Sequence, residues 1–288
     1  MLTDYRFMRF PGGKFKAVTF SYDDGVKSDI RLAQMFDKYK LKGTFNLNSR
    51  RVAREQDLTI EEIRTNLIEN GHEIAIHGKY HLAPGKITHL EGIREFLGCR
   101  LELEEMFDMI IRGMAYPNSG ITLIQNGGTY ENIRNYLKDI GIVYSRTLGG
   151  DNDSFCLPED WLAWMPTAHH NNPEIFEYID KFLSIKRDNP GSNDHKFSRL
   201  FYIWGHSYEF DMHNNWDSME KICSSLSGQE DTWYATNIEI YDYVSAYRSL
   251  VISADGKRIY NPTDKEIWFE IMDGKMYSVK PGSQIVIE

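Results

Sequence analysis

The sequence predicts an α/β fold in which short apolar strands alternate with helices, and three observations carry that prediction. Apolar runs recur along residues 16–206, each followed by a segment with helical periodicity. Helix punctuation separates them: Thr59-Ile60-Glu61-Glu62 reads as a capping box and Asn70-Gly71 as a helix stop. A chain of 288 residues accommodates either one barrel of such units or two domains.

Taken in order, 16–22 is the first strand, and 28–40 is a helix with Ile30, Ala33, Phe36 and Tyr39 near one face. Strand 44–47 follows, then the helix opened by Thr59, with Ile60, Ile63, Leu67 and Ile68 turned inward, then strand 73–76. Helix 89–109 leads to strand 110–116, and helix 130–140, stopped by Gly141, leads to strand 142–147. The Gly-, Asp-, Asn- and Ser-rich stretch 148–159 is a loop, 161–167 is extended, and Asn172-Pro173 starts a helix that runs to about 185. Residues 187–196 form a polar connection to strand 200–204, and helices over 215–226 and 237–247 complete the series. Six or seven strands joined by helices make parallel crossovers, hence a closed or nearly closed barrel or a doubly wound sheet. Beyond 249 the pattern changes to short alternating segments (250–253, 257–260, 266–271, 275–279) punctuated by Asp255-Gly256, Asp273-Gly274 and Pro281-Gly282. The expected division is therefore a barrel over 1–248 and a small antiparallel appendage over 249–288, too small to stand alone and packed on the barrel.

Charge narrows the partners. Forty-two acidic against 33 basic residues give a net charge of −9 with no Lys/Arg-rich run, which argues against nucleic acid or an anionic membrane surface. Three widely spaced cysteines, Cys99, Cys156 and Cys223, fit free thiols and no disulfide framework. The N-terminus shows no signal-peptide pattern and no run of about 18 apolar residues occurs, so a cytoplasmic protein is expected, or a secreted or periplasmic one if this is a trimmed mature form. The oligomeric state is not legible.

Two stretches stand out chemically. The strand 16–22 stops at Asp23-Asp24-Gly25, and strand 73–76 stops at His77-Gly78-Lys79-Tyr80-His81. Adjacent strand residues diverge, so the two aspartates should take different tasks. A His-x-x-x-His spacing lets one helical turn or a compact loop bring two imidazoles to one ion, and with one carboxylate they form a facial set with open coordination positions. Each stretch alone is commonly a turn or a pair of surface histidines. Together at strand carboxyl ends, where α/β proteins gather ligands, they point to a site.

These stretches resemble the polysaccharide deacetylases, carbohydrate esterase family four, also known as the NodB-homology domain. The first motif is Thr19-Phe20-Ser21-Tyr22-Asp23-Asp24-Gly25, stretched by Ser21-Tyr22, and the second is His77-Gly78-Lys79-Tyr80-His81; the likeness extends over about 16–210. It implies an irregular, partly open (β/α)7-like barrel. It also implies that Asp24, His77 and His81 bind a divalent ion, that Asp23 is the general base, and that His206, ending Leu200-Phe201-Tyr202-Ile203-Trp204-Gly205, is the general acid. Zinc is the default ion, with cobalt, nickel, manganese or iron compatible with the same ligands.

The third motif departs from the family. Met114-Ala115-Tyr116-Pro117-Asn118-Ser119-Gly120 has Ala115 where an arginine ordinarily holds the base aspartate. Arg146, at the end of strand 142–147, is the expected replacement, with Arg112 as the other source. Tyr116, Asn118, Trp204 and His170 are further candidates for lining or assisting the site, Asn118 through its backbone N–H. The fourth motif, an Asp near Trp that supports the general acid, is not cleanly present; Asp160-Trp161 or Trp164 are its stand-ins. The expected function is metal-dependent removal of acetyl from an N-acetylated, or O-acetylated, carbohydrate. The alternatives are hydrolysis of another non-peptide C–N bond in a small molecule, or a silent carbohydrate-binding descendant. An iron oxygenase would share the ligand set, but its usual all-β host is opposed by the strand–helix alternation.

Overall fold

In the computed structural model, which describes residues 5–126, 128–148, 150–187 and 196–287, strand β1 (Arg6–Arg9) precedes the strand at the centre of the molecule, β2 (Lys16–Asp23). Then come α1 (Ser28–Lys38), β3 (Gly43–Leu47), α2 (Ile60–Ile63, continued by a π turn over Arg64–Ile68), β4 (Glu73–Ile76), α3 (His89–Phe107) and β5 (Gly113–Ala115). The series continues with α4 (Tyr130–Asp139), β6 (Tyr144–Arg146), β7 (Ala168–His169), α5 (Ile175–Ser184), β8 (Arg199–Gly205), α6 (Tyr208–His213), α7 (Trp216–Leu226), β9 (Thr232–Tyr234) and α8 (Asn237–Arg248). Five short strands follow: β10 (Val251–Ile252), β11 (Arg258–Tyr260), β12 (Ile267–Ile271), β13 (Met276–Val279) and β14 (Gln284–Val286). Most of the expected polar connection over 187–196 lies outside the described residues.

The main sheet is parallel, in the order β6-β5-β4-β3-β2-β8-β7, with β9 pairing the first half of β2. All eight residues of β2 are buried, as an interior parallel strand with both faces covered requires. The sheet curls until Trp164, which leads into β7, pairs with Arg146 of β6, and this single bridge nearly shuts the ring. The result is an irregular, partly open (β/α)7-like barrel with antiparallel strands attached. Residues 161–167, expected as extended, instead begin with a 3-10 turn at Trp161–Ala163, because the Asp160 carboxylate caps the Leu162 N–H at 3.0 Å.

The N-terminal end of the barrel is stoppered by α8. Its N-terminus is held inside the ring: Asn237 N–H donates to Thr44 Oγ1 at 3.0 Å and Ile238 N–H to Glu73 Oε2 at 2.9 Å. Glu73 also accepts from Tyr144 Oη–H at 2.6 Å and Thr44 Oγ1–H at 2.8 Å, so one buried carboxylate joins β3, β4, β6 and α8. Gly113 is needed there, since a Cβ would come within 2.2 Å of Tyr144 Oη. Burial pushes the Glu73 carboxyl up to about 7 despite its three donors.

The C-terminal residues form two three-stranded antiparallel sheets, β10-β11-β14 and β1-β12-β13, around Ile259, Phe269, Ile271, Val279 and Ile287. Strand β1 thus comes from the other end of the chain, and a buried Arg9–Glu270 pair at 3.0 Å ties it to β12. Glu73→Ala strands three buried donors, so the midpoint of urea unfolding should fall by the equivalent of about 2–4 kcal/mol at unchanged slope. A change below about 0.5 kcal/mol would show that the stopper is held by packing alone.

Candidate active site

The C-terminal ends of β2, β3, β4, β6 and β8 converge on one polar cluster. Asp23 ends β2 with its carboxylate 2 % exposed. Asn46 of β3 donates to Asp23 Oδ1 at 2.9 Å, and the Arg146 guanidinium pairs with Oδ2 from β6. Arg146 is itself buried and lies over the Trp204 ring at 4.2 Å. Burial pushes the Asp23 carboxyl up, but the Arg146 guanidinium, with His206 adding, outweighs it and holds the carboxyl below its usual range.

Asp24 points elsewhere, as neighbouring strand positions must. Its φ of 85° is in the left-handed region, a strained backbone for a residue with a side chain and one that clusters at functional sites. His77 N–H bonds Leu47 O at 2.8 Å, and the residues after it form a compact loop rather than a helical turn. That loop is shaped from outside: buried Glu95 of α3 accepts from Tyr80 N–H at 2.7 Å and Leu82 N–H at 3.1 Å, while Asn48 holds the His77 and Gly78 carbonyls. His81 then takes φ 64°, and its Nε2 comes to 3.1 Å from His77 Nε2 and 3.7 Å from Asp24 Oδ1.

These three side chains fit a divalent cation. One ligand atom from each lies within 4.8 Å of the others. His77 Nδ1–H donates to Ala115 O at 2.9 Å, which fixes the tautomer with a bare lone pair on Nε2. Arg51, which nothing in the sequence pattern signalled, donates to Asp24 Oδ1 at 2.8 Å and to Asp57 at 3.2 Å.

On the other side of Asp23, His206 Nε2 lies 3.9 Å from Asp23 Oδ2, and its Nδ1–H donates to Glu209 Oε1 at 3.0 Å. The second oxygen of Glu209 faces His170 Nε2 at 3.0 Å and His169 Nε2 at 3.3 Å. Burial opposes a charge on His206, yet Glu209, Asp23 and Asp24 together raise its pKa. The reverse holds for Glu209, which burial would raise but which its imidazole neighbours push far down. His169, His170 and Glu209 also satisfy metal-like distances. However, His169 Nδ1 accepts from Asn171 N–H at 3.1 Å, so the proton sits on Nε2 and faces Glu209 as a donor.

Among the other candidates, Asn118 Nδ2–H donates to His81 O at 2.7 Å, so its side chain braces the His81 loop. Tyr116 turns into the core, where its hydroxyl donates to Leu162 O at 2.8 Å. Arg112 is spent on Asp242 at 2.7 Å. Neither stand-in for the fourth motif reaches His206: Asp160 is taken by Arg134, Tyr130 and the Leu162 N–H, and Trp164 is buried in the core. Glu209 occupies that position instead, and its place three residues after His206 on a helical segment was a legible signal.

A site of this kind defines a class: carboxylate, paired imidazoles and a flanking histidine at strand carboxyl ends of a (β/α) barrel. Comparison with known proteins agrees, since the polysaccharide deacetylase family model matches residues 5–145. No curated protein matches. Among solved structures, one described as a candidate polysaccharide deacetylase from Mycobacterium smegmatis is 17% identical with a TM-score of 0.58, covering 86% of this chain and 96% of its own. The Puue allantoinase is 11% identical with a TM-score of 0.56, covering 81% and 91%. The Xyl-CE4 domain of a multidomain xylanase from the hindgut metagenome of Trinervitermes trinervoides is 14% identical with a TM-score of 0.52, covering 81% and 92%. At these identities the likeness is one of fold.

Because Asp23 is held below its ordinary pKa, the pair with Arg146 adds stability above about pH 4 that is lost as the pH falls through the depressed folded value. Arg146→Met should cost about 3–5 kcal/mol at pH 7 by leaving Asp23 buried and unpaired. Adding Asp23→Asn should recover most of that loss in a double-mutant cycle of urea unfolding. Strict additivity of the two substitutions would show that the pair is not coupled.

Proposed function

We propose that the chain is a metal-dependent hydrolase that removes acetyl groups from N-acetylated sugars of an oligo- or polysaccharide, O-acetyl removal using the same groups. The observation that carries this reading is the placement of Asp23 and His206 beside the convergent Asp24, His77 and His81. A bound divalent ion, zinc by default, supplies polarisation of the acetyl carbonyl and a water of lowered pKa. The chain's own groups do the rest. Asp23 offers a carboxylate, kept ionised by Arg146, to take the proton of the attacking water. His206, its Nδ1–H fixed on Glu209, presents Nε2 to protonate the departing amine. An ionised carboxylate and a histidine whose pKa is raised are the base and acid such a reaction needs.

The surroundings favour an oligomeric substrate over a small molecule. A groove of about 950 Å³ runs from Arg51 and Tyr208, next to the cluster, across Val26, Ser28 and Gln56 to Met212. An open polar channel admits a chain of sugars, whereas a small C–N substrate calls for a closed cavity. The division into a barrel over 1–248 and an appendage over 249–288 remains part of the proposal, and the site draws only on barrel strands.

Acetate release from N-acetylglucosamine oligomers tests the reading. Activity should vanish with a chelator and return with zinc or cobalt, and Asp23→Asn should lower kcat by about 10²–10⁴-fold while metal still binds. Glu209 raises the pKa of His206, so the wild-type acid stays protonated to higher pH. Glu209→Gln should therefore move the alkaline fall of kcat/KM to lower pH. Binding of oligomers without release in every metal would replace the hydrolase by a carbohydrate-binding module.

A further inference from the structure

A buried carboxyl outside the proposed chemistry joins the two loops that carry it. Asp29, in the first turn of α1, is fully buried. Its oxygens serve different segments: Oδ2 accepts from Val26 N–H at 3.1 Å, and Ser207 Oγ–H donates to Oδ1 at 2.6 Å. Val26 directly follows Asp23-Asp24-Gly25, and Ser207 directly follows His206. Ser207 is also fully buried.

Strands β2 and β8 stay in register as far as Tyr22 and Gly205, where their ladder ends. The next residues on each side are Asp23 and His206, so no β-ladder fixes their separation. Glu209 orients the His206 ring, but it belongs to the same segment and is tied to His169 and His170 on the β7 side. A bond across to the β2 side sets His206 against Asp23; the exposed Ser28–Asp211 bond joins the same two segments farther out, and the buried Asp29–Ser207 bond joins them next to His206. We propose that Asp29 and Ser207 form a positioning strut that holds His206 opposite Asp23; this rests on the assignment of His206 as the proton donor. Burial, with Asp24 and Asp23 adding, pushes the Asp29 carboxyl up to about 8, so it is neutral near pH 7 and an amide mimics it. Asparagine can turn its Nδ2–H toward Ser207 Oγ and still accept from Val26 N–H.

The test compares Ser207→Ala, Asp29→Ala and Asp29→Asn in the full chain. Two measurements are made: steady-state acetate release from N-acetylglucosamine oligomers, and ¹⁵N imidazole NMR of His206. Ser207→Ala and Asp29→Ala should lower kcat about 10-fold or more with KM within about twofold, and the His206 ¹⁵N resonances should leave their wild-type positions as the ring shifts relative to Asp23, its Nδ1–H staying on Glu209. Asp29→Asn should keep kcat within about threefold of wild type. The strut is overturned if Ser207→Ala keeps the wild-type rate and His206 spectrum, or if Asp29→Asn is as impaired as Asp29→Ala. If Asp29→Ala does not fold, Ser207→Ala and Asp29→Asn decide. If the wild type releases no acetate, the hydrolase reading falls, and the His206 spectra alone decide the strut.

Discussion

A carboxylate buried at the end of the central strand is the constraint on which the rest of the structure turns. Asp23 sits where β2 stops, almost wholly removed from water, and an ionised carboxylate there is tolerated only with charge and hydrogen bonds around it. Those partners come from β3 as Asn46, from β6 as Arg146 and from the end of β8 as His206. They share one carboxylate only because the sheet curls. A flat sheet in the same order would leave β6 three strands away from β3 and well out of reach of Asp23. Curvature therefore assembles the cluster, and the Arg146–Trp164 bridge marks where the curled sheet nearly closes.

The two ends of the barrel use buried charge differently. At the N-terminal end, Glu73 accepts from uncharged donors and, among the described residues, no cation hydrogen-bonds to it, so burial pushes its carboxyl up to about 7. At the C-terminal end, Asp23 has a guanidinium and remains charged. The two histidine clusters are separated by the same kind of detail. In the His77–His81 loop a carbonyl fixes His77 Nδ1–H and leaves Nε2 bare, whereas at His169 a backbone N–H fixes the opposite tautomer and makes Nε2 a donor. Similar distances thus go with two different donor sets, one with a bare lone pair that suits the proposed cation and one gathered as donors around Glu209.

Much of this was legible in the sequence because strand and helix leave different periodicities. Strands β2, β3, β4 and β8 and most helices stand where the apolar pattern places them, and the two motifs fall at strand ends. What was not legible depended on tertiary partners. Strand β1 has only four residues and exists because β12 accepts it from the far end of the chain. Strand β9 is three residues long and finds its place against the first half of β2. Residues 161–163 form a 3-10 turn through the Asp160 cap rather than extending, and only the rest of 161–167 follows the expectation. Arg146 could be nominated as a partner for Asp23 from its position at a strand end. Arg51, Glu95 and Asp29 could not, since each acts through a contact spanning 13 to 178 residues of sequence. Glu209 is readable in principle as the i+3 neighbour of His206, whereas the fourth-motif pattern points upstream to Asp160-Trp161 or Trp164, which lie away from His206.

The central claim is that Asp24, His77 and His81 share one divalent cation beside Asp23. Anomalous X-ray diffraction at the cobalt edge, from crystals of the full chain equilibrated with cobalt(II), tests it most directly. The account predicts one strong peak within about 2.0–2.3 Å of Asp24 Oδ1, His77 Nε2 and His81 Nε2. A peak between His169, His170 and Glu209 instead, or none at either cluster, would contradict it.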